Sequence, residues 1–166
     1  IYRVTYAGRP LLTPAKMKGQ PILNVCEQFF AQENGTRYRA RLELSGREPE
    51  KVVARVADFA AGLNPRNAMP ERDEGQALLE CLWVFEGHRV PNIDLLKKVF
   101  QAAEPRVRAA AIRTLGHWAG KVADWEPTLI AASRDTSALV RAEAVKSATE
   151  LGGVDAEEVI FEVSRQ

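Results

Sequence analysis

The residues best suited to acid–base or metal chemistry are two histidines and a few adjacent carboxylates. His88 and His117 stand 29 positions apart, and Glu86 lies two residues before His88. On a helix that spacing places Glu86 and His88 on different faces, so zinc could bind only if the fold brought distant residues together. The pairs Asp73-Glu74 and Glu157-Glu158 stand at predicted helix starts, where the helix dipole stabilises negative charge. We therefore expect neither a metal site nor a catalytic carboxylate pair.

The chain also lacks the sequence signatures of common catalytic machinery. It contains no GxSxG, Walker A, HExxH or GxGxxG string. Its two cysteines, Cys26 and Cys81, form no CxxC or CxxCH motif, and the apolar residues around them are typical of small buried side chains. The chain itself is predicted to be non-enzymatic, with no cofactor and no attached haem.

The elements that must position any site are predicted from apolar residues at helical spacing, which begin at Pro21 and continue to the end of the chain. Asn34-Gly35 is predicted to end the first helix, Asn92 to cap the start of another, and Asp155 with Glu158 to form a capping box. About nine helices result, over residues 21–32, 36–45, 50–62, 72–88, 93–103, 105–119, 124–133, 136–152 and 156–166. Residues 1–8 alternate like a strand, and residues 9–20, rich in Pro, Gly and Lys, are predicted to be a linker.

One pattern, Arg-x-x-Ala-x-x-x-apolar, recurs in the second helix of each predicted pair. It begins at Arg37, Arg108 and Arg141, with a degenerate copy at Glu74, so its steps are 37, 34 and 33 residues. A period in this range is typical of stacked helical hairpins that bury their apolar faces against one another. The fold is predicted to be all-α, a right-handed solenoid of about four hairpins plus a terminal helix.

The arginines of this pattern are predicted to be mainly structural. Each stands at a helix start, from which it can bond to carbonyls or to carboxylates of the next repeat, such as Asp135 or Glu104. A role in binding a partner is the alternative for Arg37, Arg108 and Arg141. The same alternative applies to His117 and Trp118, which lie together near a helix end in the string LGHWAG.

Charge distribution bears on nucleic acid as a partner. The formal net charge is only +1. It is the balance of +5 over residues 1–47, +1 over 48–121 and −5 over 122–166. A nucleic acid lying along the whole solenoid would meet the acidic third, which argues against a DNA-glycosylase-like domain, the alternative function that we consider. Trp83, Trp118 and Trp125 could stack on bases, but they lie on apolar helix faces and are predicted to be core.

The string EPRVRAAAIRTLGHWAG resembles the second half of a HEAT-type repeat, whose signature is acidic-Pro-x-Val-Arg-x-x-Ala-x-x-x-Leu-Gly. The longer order IYRVTYAGRP, TRYRARLELSGR and ALLECLWVFEGHRVPNIDLLKKVFQAAEPRVRAAAIRTLGHW is similar to one region of large planctomycete-type membrane-bound dehydrogenase homologues. These are secreted proteins that join a sorbosone-dehydrogenase-like β-propeller, HEAT repeats and a c-type cytochrome. The resemblance implies that residues 1–20 are the end of an upstream β-domain plus a linker, and that residues 21–166 are a HEAT-like solenoid.

The same resemblance implies a structural, protein-interaction segment that connects domains of a periplasmic or secreted dehydrogenase. Haem c would then lie in a separate domain of the parent, and the partners would be other domains of the same polypeptide or another protein. The sequence shows no uncharged apolar run of the about 18 residues that a membrane span needs. It leaves the oligomeric state open. The last helix, with Val159, Ile160, Phe161 and Val163, is expected to be covered in the full protein, so that pairing of two copies through it would be an artefact of truncation.

Overall fold

The structure is a computed structural model that describes residues 8, 13–118, 121–122, 125–151 and 154–165. The predicted N-terminal strand, most of the predicted linker, the helix boundaries placed at residues 119, 124 and 152–153, and the side chain of Asp155 lie outside the described part. The helices are α1 (Ile22–Cys26), a 3₁₀ turn (Glu27–Phe30), α2 (Asn34–Ser45), α3 (Pro49–Ala61), α4 (Glu74–Gly87), α5 (Ile93–Val99), α6 (Pro105–His117), α7 (Glu126–Ser133), α8 (Ala138–Leu151) and α9 (Val154–Ser164).

The described helices form an all-α solenoid of stacked hairpins, as the repeat predicted. The hairpins are α1–α2, α3–α4, α5–α6 and α7–α8, and α9 follows as a terminal helix. The second helices α2, α4, α6 and α8 pack side by side in chain order, while α9 packs on α7 and α8. No described helix is long and apolar enough to cross a membrane.

The repeated alanine and apolar positions are the contact points of this stack. Ala40, Ala77, Ala111 and Ala144 are all fully buried, and so are the residues four positions later, Leu44, Cys81, Leu115 and Ala148. Small side chains at these positions let neighbouring helices approach closely. Among the described glycines the tightest contact is at Gly116, where an added Cβ would lie 3.0 Å from the Ser147 hydroxyl of α8. The spacing of the repeat is therefore confirmed as a packing signal.

Several local predictions are confirmed by the caps. The Asn92 side chain accepts from the Leu95 amide at 2.9 Å and begins α5, and Pro105 stands in the first turn of α6. The prediction that Asn34-Gly35 ends the first helix is wrong. That helix ends earlier, through the 3₁₀ turn, and the extended conformations of Ala31 and Glu33 let Asn34 begin α2.

The connection between α3 and α4 contains a small strand pair that the sequence did not predict. β1 (Ala68–Met69) and β2 (Arg72–Asp73) pair antiparallel, with Ala68 opposite Asp73. Because this pairing takes up Arg72 and Asp73, α4 starts at Glu74 and not at the predicted residue 72. The Asp73 side chain caps it by accepting from the Gln76 amide at 2.8 Å.

Candidate functional site

The three arginines of the repeat occupy equivalent places in three hairpins. Each donates from Nη1 to the carbonyls five and six residues earlier, in the link that ends the first helix of its own hairpin. The bonds run from Arg37 to Ala31 (2.6 Å) and Gln32 (3.0 Å), from Arg108 to Ala102 and Ala103 (2.9 Å each), and from Arg141 to Asp135 (2.9 Å) and Thr136 (3.2 Å). These bonds satisfy carbonyls that the helix end leaves without a partner.

Two of these arginines also reach a carboxylate of the next hairpin. Arg108 binds Asp135 through two parallel bonds, Nε to Oδ2 at 2.8 Å and Nη2 to Oδ1 at 2.9 Å, as the sequence analysis expected. This pair lowers the pKa of Asp135 and raises that of Arg108. Arg37 donates from Nε to Glu80 at 3.0 Å. A role of these arginines in binding a partner stays a prediction. The bonds that the structure shows are all made within the solenoid.

Glu80 is a fully buried carboxylate between α2 and α4 that the sequence analysis did not identify. Besides Arg37 it meets the Arg41 Nε at 3.2 Å, and it accepts from the Gln76 side chain at 2.9 Å. Burial raises the pKa of the Glu80 carboxyl, and the two arginines oppose that rise. Its signal in the sequence was a charged residue within the otherwise apolar run ALLECLW.

The histidine His117 also joins neighbouring hairpins. Its Nδ1 lies 2.6 Å from the Glu86 Oε1 of α4, and the His117 side chain is half exposed. Glu86 thus contacts His117, 31 positions away, and not His88, its neighbour in sequence. The Nε2 of His88 has no hydrogen-bond partner among the described residues. Trp118 is 3% exposed and belongs to the core. Within the described ranges no three metal-ligating side chains come together.

A third connection between second helices joins α6 to α8. Arg113 of α6 binds Glu143 of α8 through Nε at 2.9 Å and Nη2 at 2.7 Å. The pair lowers the pKa of the Glu143 carboxyl, which is mostly buried. Charged groups along the row of second helices are therefore largely used to hold one hairpin to the next.

One open surface on these helices is a groove between α2 and α4, here called the α2/α4 groove, with a volume of about 430 Å³. The exposed side chains of Tyr38 and Leu42, 51% each, form one wall, and half-buried Trp83 forms the other. The Arg41 guanidinium lies 4.5 Å from the Trp83 ring centroid and 5.7 Å from that of Tyr38. The groove is lined by Tyr38, Arg41, Leu42, Ser45, Trp83, Val84, Glu86, Gly87 and His88.

This groove has the composition of a protein-binding surface. Tyrosine, tryptophan and arginine dominate the hot spots of protein interfaces because they combine apolar area with hydrogen-bonding groups. The sequence analysis placed Trp83 in the core and did not identify Tyr38 or Leu42. Spacing on α2 shows that they share one side of the helix, but only the position of α4 shows that this side borders a groove.

Comparison with known proteins agrees with the repeat. A family model described as HEAT repeats matches residues 93–164, which cover α5 to α9. No curated protein and no solved structure gives a significant match to the chain. The solenoid of stacked hairpins continues through α1–α4 with the same Ala and apolar contacts. The chain therefore contains HEAT-like repeats.

Proposed function

We propose that this chain is a non-catalytic protein-interaction scaffold that binds its partner in the α2/α4 groove. HEAT repeats and related solenoids are typically binding scaffolds, because a row of helices presents an extended surface. The observation that supports the groove is the exposure of Tyr38 and Leu42 beside Trp83, with Arg41 held between aromatic rings. An apolar partner side chain inserted there would bury surface that the solenoid leaves in water.

Nucleic acid is not favoured as the partner. Binding to the sugar-phosphate backbone of a nucleic acid needs arginines that are free to approach the phosphates. Four of the arginines on the second helices, Arg37, Arg41, Arg108 and Arg113, lie within 2.7–3.2 Å of a carboxylate. A phosphate would have to displace Glu80, Asp135 or Glu143 from them. The surface that the groove exposes is mainly apolar, although Arg41, Glu86 and His88 also line it.

We propose further that the scaffold connects domains of a larger secreted or periplasmic dehydrogenase. The support is the similarity of IYRVTYAGRP, TRYRARLELSGR and the long ALLECLW string to that group of proteins. In this proposal the solenoid holds a propeller and a c-type cytochrome at a fixed spacing, and haem c belongs to the cytochrome. The chain itself is proposed to need no cofactor.

Site-specific photo-crosslinking tests the groove. A photoreactive side chain replaces Leu42, and the matched control carries it at Leu23, which is 42% exposed on α1, outside the groove. We expect a covalent adduct from position 42 only, identified by mass spectrometry as a propeller domain, a cytochrome domain or another protein. Tyr38→Ala should then weaken binding of the purified partner at least tenfold. Equal adducts from both positions would contradict the proposal.

Two solution measurements test the remaining parts. The purified chain should show no oxidation of sugars with an artificial electron acceptor and no haem absorbance. In a salt titration with a labelled DNA duplex it should show no binding at low salt. Micromolar binding that weakens steeply with salt would instead support the nucleic-acid function.

A further inference from the structure

A cavity of about 340 Å³, which shares no lining residue with the α2/α4 groove, lies between the first two hairpins. One side is formed by the 3₁₀ turn and the start of α2, and the other by β1, β2 and the turn between them, called here the strap (residues 68–73). Two contacts fasten the strap to the first hairpin. The Gln32 side chain donates to the Pro70 carbonyl, and the Arg72 guanidinium lies 3.9 Å from the Phe30 ring centroid. The strap therefore partly encloses the cavity, called here the strap cavity.

Arg37 lines the strap cavity with hydrogen-bonding capacity that the fold does not use. Its Nη1 donates to the two carbonyls before α2, and its Nε donates to Glu80. Its Nη2 makes no hydrogen bond within the described part of the chain, whereas the Nη2 of Arg108 donates to Asp135 at 2.9 Å. The Arg37 side chain is only 16% exposed, so little water reaches it. Arg37 thus lacks an acceptor that the equivalent arginine of the third hairpin has.

The repeat shows which side chain differs at the strap. Asp135 stands six positions before Arg141, the start of the last copy of the pattern, and it accepts there from the arginine of the preceding hairpin. Six positions before Glu74, the start of the degenerate copy, the residue is Ala68, which lines the strap cavity. A methyl group thus stands where the later link has a carboxylate. The place beside Arg37 is suited to a ligand carboxylate, since a guanidinium binds carboxylates through charge-assisted hydrogen bonds.

A carboxylate of the chain also lines the strap cavity. Asp73 accepts from the Gln76 amide through Oδ1, and its Oδ2 has no hydrogen-bond partner within the described ranges. The Gln76 side chain and Arg37 both donate to Oε1 of Glu80, and this chain of bonds keeps the two charged groups near each other. Arg37 and Arg41 share the one carboxylate of Glu80, so positive charge remains for a ligand. The cavity therefore offers a cationic donor and an anionic acceptor to one small molecule.

We propose that the strap cavity binds an α-amino acid with an apolar side chain. The ligand carboxylate accepts from the Arg37 Nη2, and the ligand ammonium group donates to the Asp73 Oδ2. The apolar side chain lies against Phe29, Phe30 and Met69, which also line the cavity. The volume of about 340 Å³ is at the low end for small-molecule pockets and suits a ligand of this size. This site does not depend on the proposed function, because the α2/α4 groove contributes no residue to it.

Isothermal titration calorimetry of the full chain with L-leucine, L-methionine and L-phenylalanine tests the site. We expect at least one of them to bind with a dissociation constant below about 1 mM. Two analogues of leucine separate the charges, since isocaproate lacks the amino group and isoamylamine lacks the carboxylate. Each should bind about tenfold more weakly than leucine, because one charge-assisted hydrogen bond is lost.

Two variants change the chain in place of the ligand. Ala68→Asp supplies the carboxylate that the ligand is proposed to bring, and it should abolish amino-acid binding. Leu23→Asp adds the same charge at an exposed residue outside the cavity and is the matched control, which should bind like the unmodified chain. Asp73→Asn keeps a capping side chain at the start of α4 but removes its charge. It should weaken leucine binding about tenfold and leave isocaproate binding unchanged.

Circular dichroism checks that each variant is folded, because Ala68 stands opposite Asp73 in the strap and the new charge repels it. If Ala68→Asp is unfolded, Asp73→Asn and the two analogues still decide the outcome. The inference is overturned if none of the three amino acids binds at concentrations up to about 10 mM. It is also overturned if Ala68→Asp binds as well as Leu23→Asp, or if isocaproate binds as tightly as leucine.

Discussion

The bond between Arg108 and Asp135 can be measured against an internal control, because Arg141 repeats only half of its contacts. Both arginines donate to the two carbonyls at the end of the preceding helix. Arg108 also binds Asp135 through two bonds, whereas among the described residues Arg141 has no salt bridge and acts on Asp135 only as a nearby charge. The difference between Arg108→Ala and Arg141→Ala therefore isolates the carboxylate pair.

The expected loss in the free energy of unfolding follows from how deeply each arginine is buried and how many hydrogen bonds it makes. The side chains of Arg108 and Asp135 are 14% and 9% exposed, so solvent screens their pair only partly. Losing the two carbonyl bonds should lower the free energy of unfolding by about 1–2 kcal/mol in Arg141→Ala. Losing the carboxylate pair as well leaves the mostly buried Asp135 carboxylate with the Ser137 amide as its donor and no guanidinium bond, and Arg108→Ala should cost about 3–5 kcal/mol. In a chain of this length the difference corresponds to a further fall in Tm of about 5–10 °C.

Urea and thermal unfolding followed by circular dichroism at 222 nm measure both variants. A double-mutant cycle with Asp135→Ala separates the pair from the carbonyl bonds. The coupling energy between positions 108 and 135 should be about 2 kcal/mol. Equal losses in Arg108→Ala and Arg141→Ala, or a coupling energy near zero, would refute the view that the carboxylate pair holds the third hairpin to the fourth.

Three further predictions concern the contacts between second helices. Glu80→Ala should lower the free energy of unfolding by about 3–5 kcal/mol in urea titrations, because it leaves two partly buried arginines without their carboxylate. Gly116→Leu should cost about 2–3 kcal/mol by forcing α6 away from α8, whereas Gly35→Leu, which meets no atom within 4 Å, should cost little. The pKa values of Asp135 and Glu143 are lowered in the folded state, so these carboxylates stabilise the fold when they are ionised, above their unfolded pKa of about 4. That stabilisation is lost as the pH falls below the unfolded pKa and through the lower folded pKa values, so Tm should drop on acidification below about pH 4, and less so in Asp135→Asn/Glu143→Gln.

The repeat could be predicted from the sequence because its signal is local. Alanine three positions and an apolar residue seven positions after each repeat start lie on one helix face, whatever the rest of the chain does. The burial of Ala111 and Leu115, and of the matching residues in three other helices, could therefore be predicted from the repeat alone. The Arg108–Asp135 pair was also predictable, since both residues stand at fixed positions of consecutive repeats.

The groove and the buried carboxylate could not be predicted in the same way. Glu80 meets Arg37 across 43 positions, and the first two hairpins depart from the period that the last two share. Nothing local indicates that Trp83 is only partly buried while Trp118 is almost fully buried, because that depends on how closely the next helix packs.

The sequence by itself thus determined the helices, their pairing into hairpins and the stacking of those hairpins, since helical periodicity and small residues act over a few turns. Only the tertiary structure decided that Glu80 and Glu143 pair with arginines of neighbouring hairpins and where apolar side chains remain open to a partner. Both depend on the offset and separation of helices from different hairpins. The α2/α4 groove is a product of that arrangement, because it lies between helices of two different hairpins.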